Sequence, residues 1–269
     1  MLRLSGTGAS DVGLVRSNNE DSAFVGPSCV LVADGVGGGA AGEVASATAT
    51  YAVVAAVAGL QGDQEPVALL LAAVRTAQSQ VQAGVALDET RVGMATTLTA
   101  LVTDGERFAI AHLGDSRGYV LRDDELTLVT RDHTYVQDQL DEGRITAEEA
   151  IDHPWRNVVL RSVNGDAEGE PDVTELTLVP GDRIVLATDG LTDLVAEPEL
   201  AQVLGGRSDE DAVAALIAEA LARGGRDNVT CVVATVVEGS PAGADGHLYG
   251  AVCDPVNVVG GTDIEAEPA

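Results

Sequence analysis

The stretch Asn19-Glu20-Asp21-Ser22-Ala23-Phe24-Val25-Gly26-Pro27-Ser28-Cys29-Val30-Leu31-Val32-Ala33-Asp34 reads as two apolar strands joined by a Gly-Pro-Ser turn. Centring the turn between Pro27 and Ser28 and counting outward pairs Asp21 with Asp34 across the open end of the hairpin. A second hairpin is signalled by Asp104-Gly105, a pair suited to a tight turn that needs positive φ. It returns residues 107–113 to the edge where Gly114-Asp115 follows. The run 184–188 leads into Asp189 at its C-terminal end, and Asp227-Asn228 precedes the run 229–237. In adjacent antiparallel strands the end of one lies beside the start of the next, so all five aspartates are able to share one edge.

A single Asp-Gly after an apolar run ordinarily starts a turn and does nothing more. Five such placements at one edge are different, because gathered carboxylates repel unless cations lie between them. An all-oxygen set selects hard Mg²⁺ or Mn²⁺ over zinc, and this many carboxylates calls for more than one ion.

Working outward, further short β-type runs are expected at 96–103, 118–121, 126–130 and 173–179. Helical patterns span 40–60 and 66–87, and a later pair spans 197–204 and 208–223. Strands and helices do not alternate one for one, which excludes a doubly wound parallel sheet. Two antiparallel sheets stacked face to face, with a helix pair outside each, bury every apolar face. Residues 132–169 are polar, hold one short helical piece at 147–151, and read as an inserted flap within a domain spanning 1–238. The remainder, 239–269, is rich in Gly, Pro and acid and reads as a disordered or loosely attached tail.

Composition narrows the function classes. There are 43 acidic residues against 15 basic ones, every basic residue is Arg, and the formal net charge is −28. Such a field repels nucleic acid and anionic membranes. The absence of lysine removes both a Walker-type phosphate loop and Schiff-base chemistry. Cys29, Cys231 and Cys253 have neither disulfide nor zinc spacing. The longest apolar stretch, 51–60, is far below the ~18 residues of a membrane span. The expectation is a soluble, cytoplasmic, monomeric protein.

Taken in order along residues 5–237, several short motifs resemble the metal-dependent protein phosphatase (PPM, type 2C) family in its bacterial form. They are Gly13-Leu14-Val15-Arg16, Asn19-Glu20-Asp21, Val32-Ala33-Asp34-Gly35-Val36-Gly37-Gly38, Gly93-Met94-Ala95-Thr96-Thr97, Gly114-Asp115-Ser116-Arg117, His153-Pro154 with Arg156-Asn157, Leu186-Ala187-Thr188-Asp189-Gly190-Leu191 and Gly225-Arg226-Asp227-Asn228. The resemblance implies an α+β fold, a four-layer α-β-β-α sandwich, and hydrolysis of phosphoserine and phosphothreonine on proteins. It implies that Asp34 bridges two tightly bound Mn²⁺ or Mg²⁺ ions, with the Gly35 carbonyl adding a ligand. Asp189 and Asp227 then serve the second ion, Asp21 acts through bound water, and Asp115 with Asp189 supports a third, weaker ion. Arg16 is implied to grip the substrate phosphate, with a planar fork of donors suited to it. Phosphorylated proteins, including a serine/threonine kinase or its substrates, are the implied partners. Val36 stands where eukaryotic members often carry His, so the leaving-group proton has another source.

Two rival readings come from other classes. Gly37-Gly38-Gly39-Ala40-Ala41-Gly42 satisfies a dinucleotide-binding fingerprint, but that motif requires a parallel strand after its helix, and a second helical pattern follows instead. A catalytically inactive module that keeps the fold as a binding surface is the other, although all the expected aspartates are present. The histidines and Trp155 take bland readings: His112 as a core or edge residue, His133 and His153 as loop-ordering groups, and Trp155 as a packing anchor.

Overall fold

The computed structural model describes residues 1–36, 41–58, 65–165, 169–243 and 246–260. In chain order the first elements are β1 (Leu2–Asp11), β2 (Asp21–Val25), β3 (Cys29–Val36), α1 (Gly42–Ala58) and α2 (Pro66–Leu87). A meander follows, of β4 (Ala95–Thr96), β5 (Leu98–Thr103), β6 (Phe108–Leu113), β7 (Arg117–Arg122) and β8 (Glu125–Leu128). Then come α3 (Tyr135–Asp141), α4 (Ala147–Ile151), β9 (Asp172–Leu176), β10 (Arg183–Ala187), α5 (Asp189–Thr192), α6 (Glu197–Leu204) and α7 (Asp209–Ala222). β11 (Val229–Glu238) and β12 (His247–Gly250) complete the sheets.

One sheet runs β1-β11-β10-β7-β8 and the other β12-β2-β3-β5-β6-β9, with β4 on β3. Every pairing is antiparallel. Period-two alternation explains why the central strands read as continuous apolar runs. Val30 and Val32 of β3, with Ile184 and Leu186 of β10, face the core between the sheets. Leu31 and Ala33 point outward beneath α1 and α2, while Val185 and Ala187 point outward beneath α6 and α7. Three apolar layers thus separate four layers of structure, the sandwich expected from the sequence.

The helix boundaries follow local chemistry. Pro66 opens α2, where its missing N–H costs nothing. Ser208 caps α7 by accepting from the Asp211 N–H at 3.1 Å, and Asp209, Glu210 and Asp211 complement the positive end of the helix dipole. The 197–204 and 66–87 helices match the sequence reading, and the 208–223 pattern runs from the Ser208 cap to Ala222. The start of the 40–60 pattern, its last two residues, and Gly37 to Ala40 of the glycine fingerprint lie outside the described residues. The nucleotide-binding reading fails on topology, since α1 leads through α2 into an antiparallel strand.

Three elements differ from expectation. β1 was not anticipated, because Leu2-Arg3-Leu4-Ser5-Gly6-Thr7-Gly8 carries little apolar character; it forms by pairing all ten residues along the edge of β11. α3 is stabilised by Thr134, whose hydroxyl accepts from the Gln137 N–H, and an exposed Trp155 lies edge-on to Tyr135 at 5.1 Å within the same segment rather than anchoring it to the sandwich. The expectation of a disordered tail is corrected for residues 247–260. There β12 covers the edge of β2, and two 3₁₀ turns, Ala251–Cys253 and Pro255–Asn257, follow. The open edge of β2 supplied hydrogen-bonding groups that composition does not reveal. Residues 261–269 lie outside the described residues.

Among the described residues no helix is long and apolar enough to cross a membrane. Cys29 and Cys231 are buried free thiols, each pushed up to about 12 by burial. Because Leu186 is wholly buried between the sheets, Leu186→Ala is expected to cost about 2–5 kcal/mol. Urea denaturation checks it, with an unchanged midpoint as the contrary result.

Candidate metal centre

Asp21 and Asp34 lie directly opposite each other in the β2–β3 register. The hairpin is locked to its neighbour on the far side: the Asp34 N–H donates to Thr97 Oγ1 at 2.9 Å, and the Thr97 N–H donates to the Asp34 carbonyl at 2.8 Å. Asp115 sits in the turn from β6 to β7, that is, from one sheet to the other. Asp189 opens α5 at the end of β10, and Asp227 precedes β11; the Thr188 N–H donates to the Thr230 carbonyl and holds the two strand ends together. Gly190 allows that approach, since a Cβ there would stand 1.9 Å from the Asn228 carbonyl oxygen. The five aspartates therefore meet at one end of the sandwich, supplied by both sheets.

Asp21 is wholly buried, whereas Asp34, Asp115, Asp189 and Asp227 keep a partly exposed side. Burial pushes Asp21 up to about 7, against hydrogen bonds from the Thr230 and Thr188 hydroxyls and with the Asp189 and Asp227 charges adding to the rise. Burial and the Asp189 charge take Asp115 up to about 8. Burial, then the Asp193 and Asp227 charges, take Asp189 up to about 6. Asp34 rises well above the ordinary carboxylate range, first through burial and then through Asp21, Asp189, Asp115 and Asp227. The Asp227 charge adds to the rise at Asp21, Asp34 and Asp189.

A hard divalent cation fits this donor chemistry, which is all oxygen and densely anionic. Asp21 Oδ1 is buried with no hydrogen-bond partner, an arrangement that costs free energy unless a cation or a water reached by one satisfies it. Among the described residues no three acid, imidazole or thiol groups are closed into a coordination cage as they stand. Asp227 is turned instead to Arg16, whose guanidinium donates to its Oδ2 at 2.6 Å. Arg16 is thus at the site, but in an ion pair with a carboxylate. Gly35 lies on β3 so close to Gly42 and Glu20 that no Cβ fits, which brings its backbone into the same corner.

A cleft of about 690 Å³ opens beside the aspartates, between the flap and α5. Asp115, Asp189 and Asp227 line one end of it, and Arg117, Arg156 and Arg226 also line it. Arg117 is held by Asp132 through a two-pronged contact at 2.7 and 3.0 Å.

The sequence reading missed Thr188, Thr230 and Asp193. The first lies in the 186–191 motif but takes no role there by sequence; it donates to Asp21 Oδ2 at 2.9 Å from 167 positions away, a contact that no local pattern reveals. Asp193 was detectable, since it stands four residues after Asp189, the spacing of neighbours on a helix. His112 is a core residue bonded to Thr99 at 2.9 Å, and burial and the neighbouring His133 lower it to about 4. His133 accepts from the Gly114 N–H at 3.2 Å and reaches Asp172 at 2.9 Å, tying the flap base to the Asp115 turn.

The family profile described as Protein phosphatase 2C matches residues 16–228. The serine/threonine protein phosphatase PstP of Mycobacterium tuberculosis is 46% identical over 246 residues, which cover 90% of this chain and 47% of that protein. The chain therefore spans about half the length of the curated mycobacterial relatives it matches. The serine/threonine phosphatase stp of Listeria welshimeri is 33% identical over 233 residues, covering 83% of this chain and 92% of that protein. A solved catalytic domain of PstP, in complex with two manganese ions, superposes with a TM-score of 0.80 at 44% identity, covering 88% of this chain and all of that one. The matched span takes in Arg16 and all five aspartates, and the chain belongs to the protein phosphatase 2C family.

Proposed function

We propose that this chain hydrolyses phosphoserine and phosphothreonine on proteins with the help of Mn²⁺ or Mg²⁺. The observation that carries the reading is the convergence of Asp21, Asp34, Asp115, Asp189 and Asp227 at one end of the sandwich, where burial and neighbouring carboxylate charges raise the proton affinity of Asp21, Asp34, Asp115 and Asp189. Membership of the family supports it. Asp34 and the Gly35 carbonyl would hold two ions, with Asp189 and Asp227 on the second and Asp21 acting through water. Asp115 with Asp189 would hold a third ion more weakly.

When bound, the divalent ions supply an ionised water at neutral pH and screen the charge that builds on the phosphoryl oxygens. The residues do the rest. Thr188 and Thr230 fix the Asp21 carboxylate, and the β2–β3 register fixes Asp34 opposite it. Arg16 exchanges Asp227 for the substrate phosphate, to which its planar fork of donors is suited. No side-chain nucleophile is required. Flanking peptide occupies the cleft beneath residues 132–169, which makes the flap the source of specificity. The two buried free thiols support a reducing, cytoplasmic setting. We take the chain to act as a monomer on phosphoproteins that include a serine/threonine kinase or its substrates.

The purified protein is expected to hydrolyse an aryl phosphate and phosphothreonine peptides with Mn²⁺ or Mg²⁺ and to stop in excess chelator; Asp34→Ala abolishes turnover while the melting curve stays cooperative. Full activity in chelator, or substantial turnover by Asp34→Ala, overturns the reading.

For Arg16→Ala the expected effect is a KM for phosphopeptide raised about tenfold or more, the loss of a charge-assisted contact, with Mn²⁺ affinity kept. Steady-state kinetics beside metal titration tests this, and unchanged kinetics would leave Arg16 as an ion-pair partner of Asp227 alone.

The shifted aspartates also set a pH dependence. Asp21 and Asp115 titrate at about 7 and about 8 in the folded chain, against roughly 3.9 unfolded. Folded protein therefore holds more protons than unfolded protein across this window, and stability falls as pH rises. Metal-free protein should melt at a lower temperature at pH 8 than at pH 6.5, and added Mn²⁺ should raise the melting temperature more at pH 8. Scanning calorimetry at both pH values decides it, a metal-free melting temperature that rises over the window being the opposing result.

A further inference from the structure

Residues 246–260 lie outside the matched family span, yet they are built into the same corner as Asp21. β12 pairs with β2 in the register His247 to Val25, Leu248 to Phe24, Tyr249 to Ala23 and Gly250 to Ser22. Gly250 has φ +77°, and a Cβ there would stand 2.2 Å from the Asp21 carbonyl oxygen and 2.9 Å from Ser10 Oγ. Ser10 Oγ lies 2.7 Å from Thr230 Oγ1, and the Thr230 hydroxyl bonds to the Asp21 carboxylate. The strap therefore rests on both the backbone of Asp21 and the chain of hydroxyls that aims its side chain.

A second chain of bonds starts from the strap. The Val252 N–H donates to Ser22 Oγ at 3.1 Å, Ser22 Oγ lies 3.0 Å from Ser46 Oγ, and Ser46 Oγ donates to the Glu20 carbonyl at 2.5 Å. Because Ser46 spends its proton on Glu20, Ser22 donates to Ser46, and one direction of donation runs from the strap to the residue before Asp21. The Glu20 N–H in turn donates at 2.8 Å to Asn228, the residue after Asp227. Beyond this, Val252 and Val258 pack on Ala47 and Tyr51 of α1, and the Val259 N–H donates to Thr48 Oγ1 at 3.1 Å. Residues 20, 21 and 22 are thus all held by one segment, fastened at its far end to a helix.

We propose that residues 246–260 are a positioning strap for the metal centre, clamping the backbone on both sides of Asp21 so that cation binding and strap docking stabilise one another. This rests on the proposed metal dependence. Partners that orient ligands without touching the ion commonly govern affinity, and the coupling is reciprocal. Any event that lifts the strap from β2 weakens the site, and cation in the site holds the strap down.

The test uses the full chain and Mn²⁺ alone. Val258→Asp removes the apolar anchor far from the aspartates, while Val256→Asp adds the same charge at an exposed position of the same segment. Calorimetric titration should find Mn²⁺ bound about tenfold more weakly by Val258→Asp and within about twofold of the unaltered chain by Val256→Asp. Hydrogen exchange on the unaltered chain should slow at residues 247–252 when Mn²⁺ is added. Equal Mn²⁺ affinity in a cooperatively folded Val258→Asp, or strap amides that exchange at the same rate with and without Mn²⁺, would overturn the proposal. Should Val258→Asp fail to fold, the exchange measurement decides alone. An unaltered chain that binds no Mn²⁺ overturns the metal reading and the strap's role together, whereas binding without coupling overturns only the strap.

Discussion

Repulsion among five aspartates gathered at one end of a sandwich is the constraint to which the rest of the structure answers. Two unit charges of like sign about 5 Å apart at an effective dielectric near 20 repel by roughly 3 kcal/mol, so the arrangement persists only because the strands that carry the carboxylates cannot swing away. Asp21 and Asp34 are held by hairpin register, Asp34 again by Thr97, Asp189 by the tight approach of Gly190 to Asn228, and Asp21 by two threonines from the opposite sheet. Rigid antiparallel sheets buried on both faces provide that resistance. The same rigidity leaves the site with a standing preference for positive charge, met for Asp227 by Arg16 and, under the proposed function, by divalent ions for the others.

The surface repeats the theme more weakly. With a net charge of −28 and arginine as the only basic side chain, the protein attracts cations and repels polyanions over long distances. Many of its arginines are drawn into local ion pairs that staple loops: Arg117 to Asp132 at the flap base, Arg122 to Asp182, and Arg223 to Glu199 and Glu219. Exposed pairs of this kind add little stability individually. Their more definite effect is to tie up positive charge locally, while Arg156 and Arg226 line the cleft and Arg16 stays on Asp227.

α1 illustrates how the outer layers serve the site. It is apolar or small nearly all round, because β3 lies beneath it, α2 beside it, and the strap across its remaining side. Ser46 and Thr48 are buried on that helix; Ser46 meets Glu20 and Ser22 at the start of β2, and Thr48 meets Val259, 211 residues away. A helix covered on most sides, as α1 is through Val53, presents no clear amphipathic stripe, so its periodicity does not announce what covers it.

The amino-acid sequence by itself determined the hairpin register that sets Asp21 opposite Asp34, the turn at Asp104-Gly105, the helix boundaries at Pro66 and Ser208, and the sandwich class. In each of these the signal is local: an apolar run of fixed period ending at a residue whose own conformational or capping preference marks the stop. Tertiary structure decided the rest. β1 exists because β11 offers an edge, β12 because β2 does, and Thr188 and Thr230 hold Asp21 from the other sheet. Backbone edges have no side-chain signature, and a hydroxyl that meets a carboxylate 167 residues away looks like any other threonine until the two sheets are stacked.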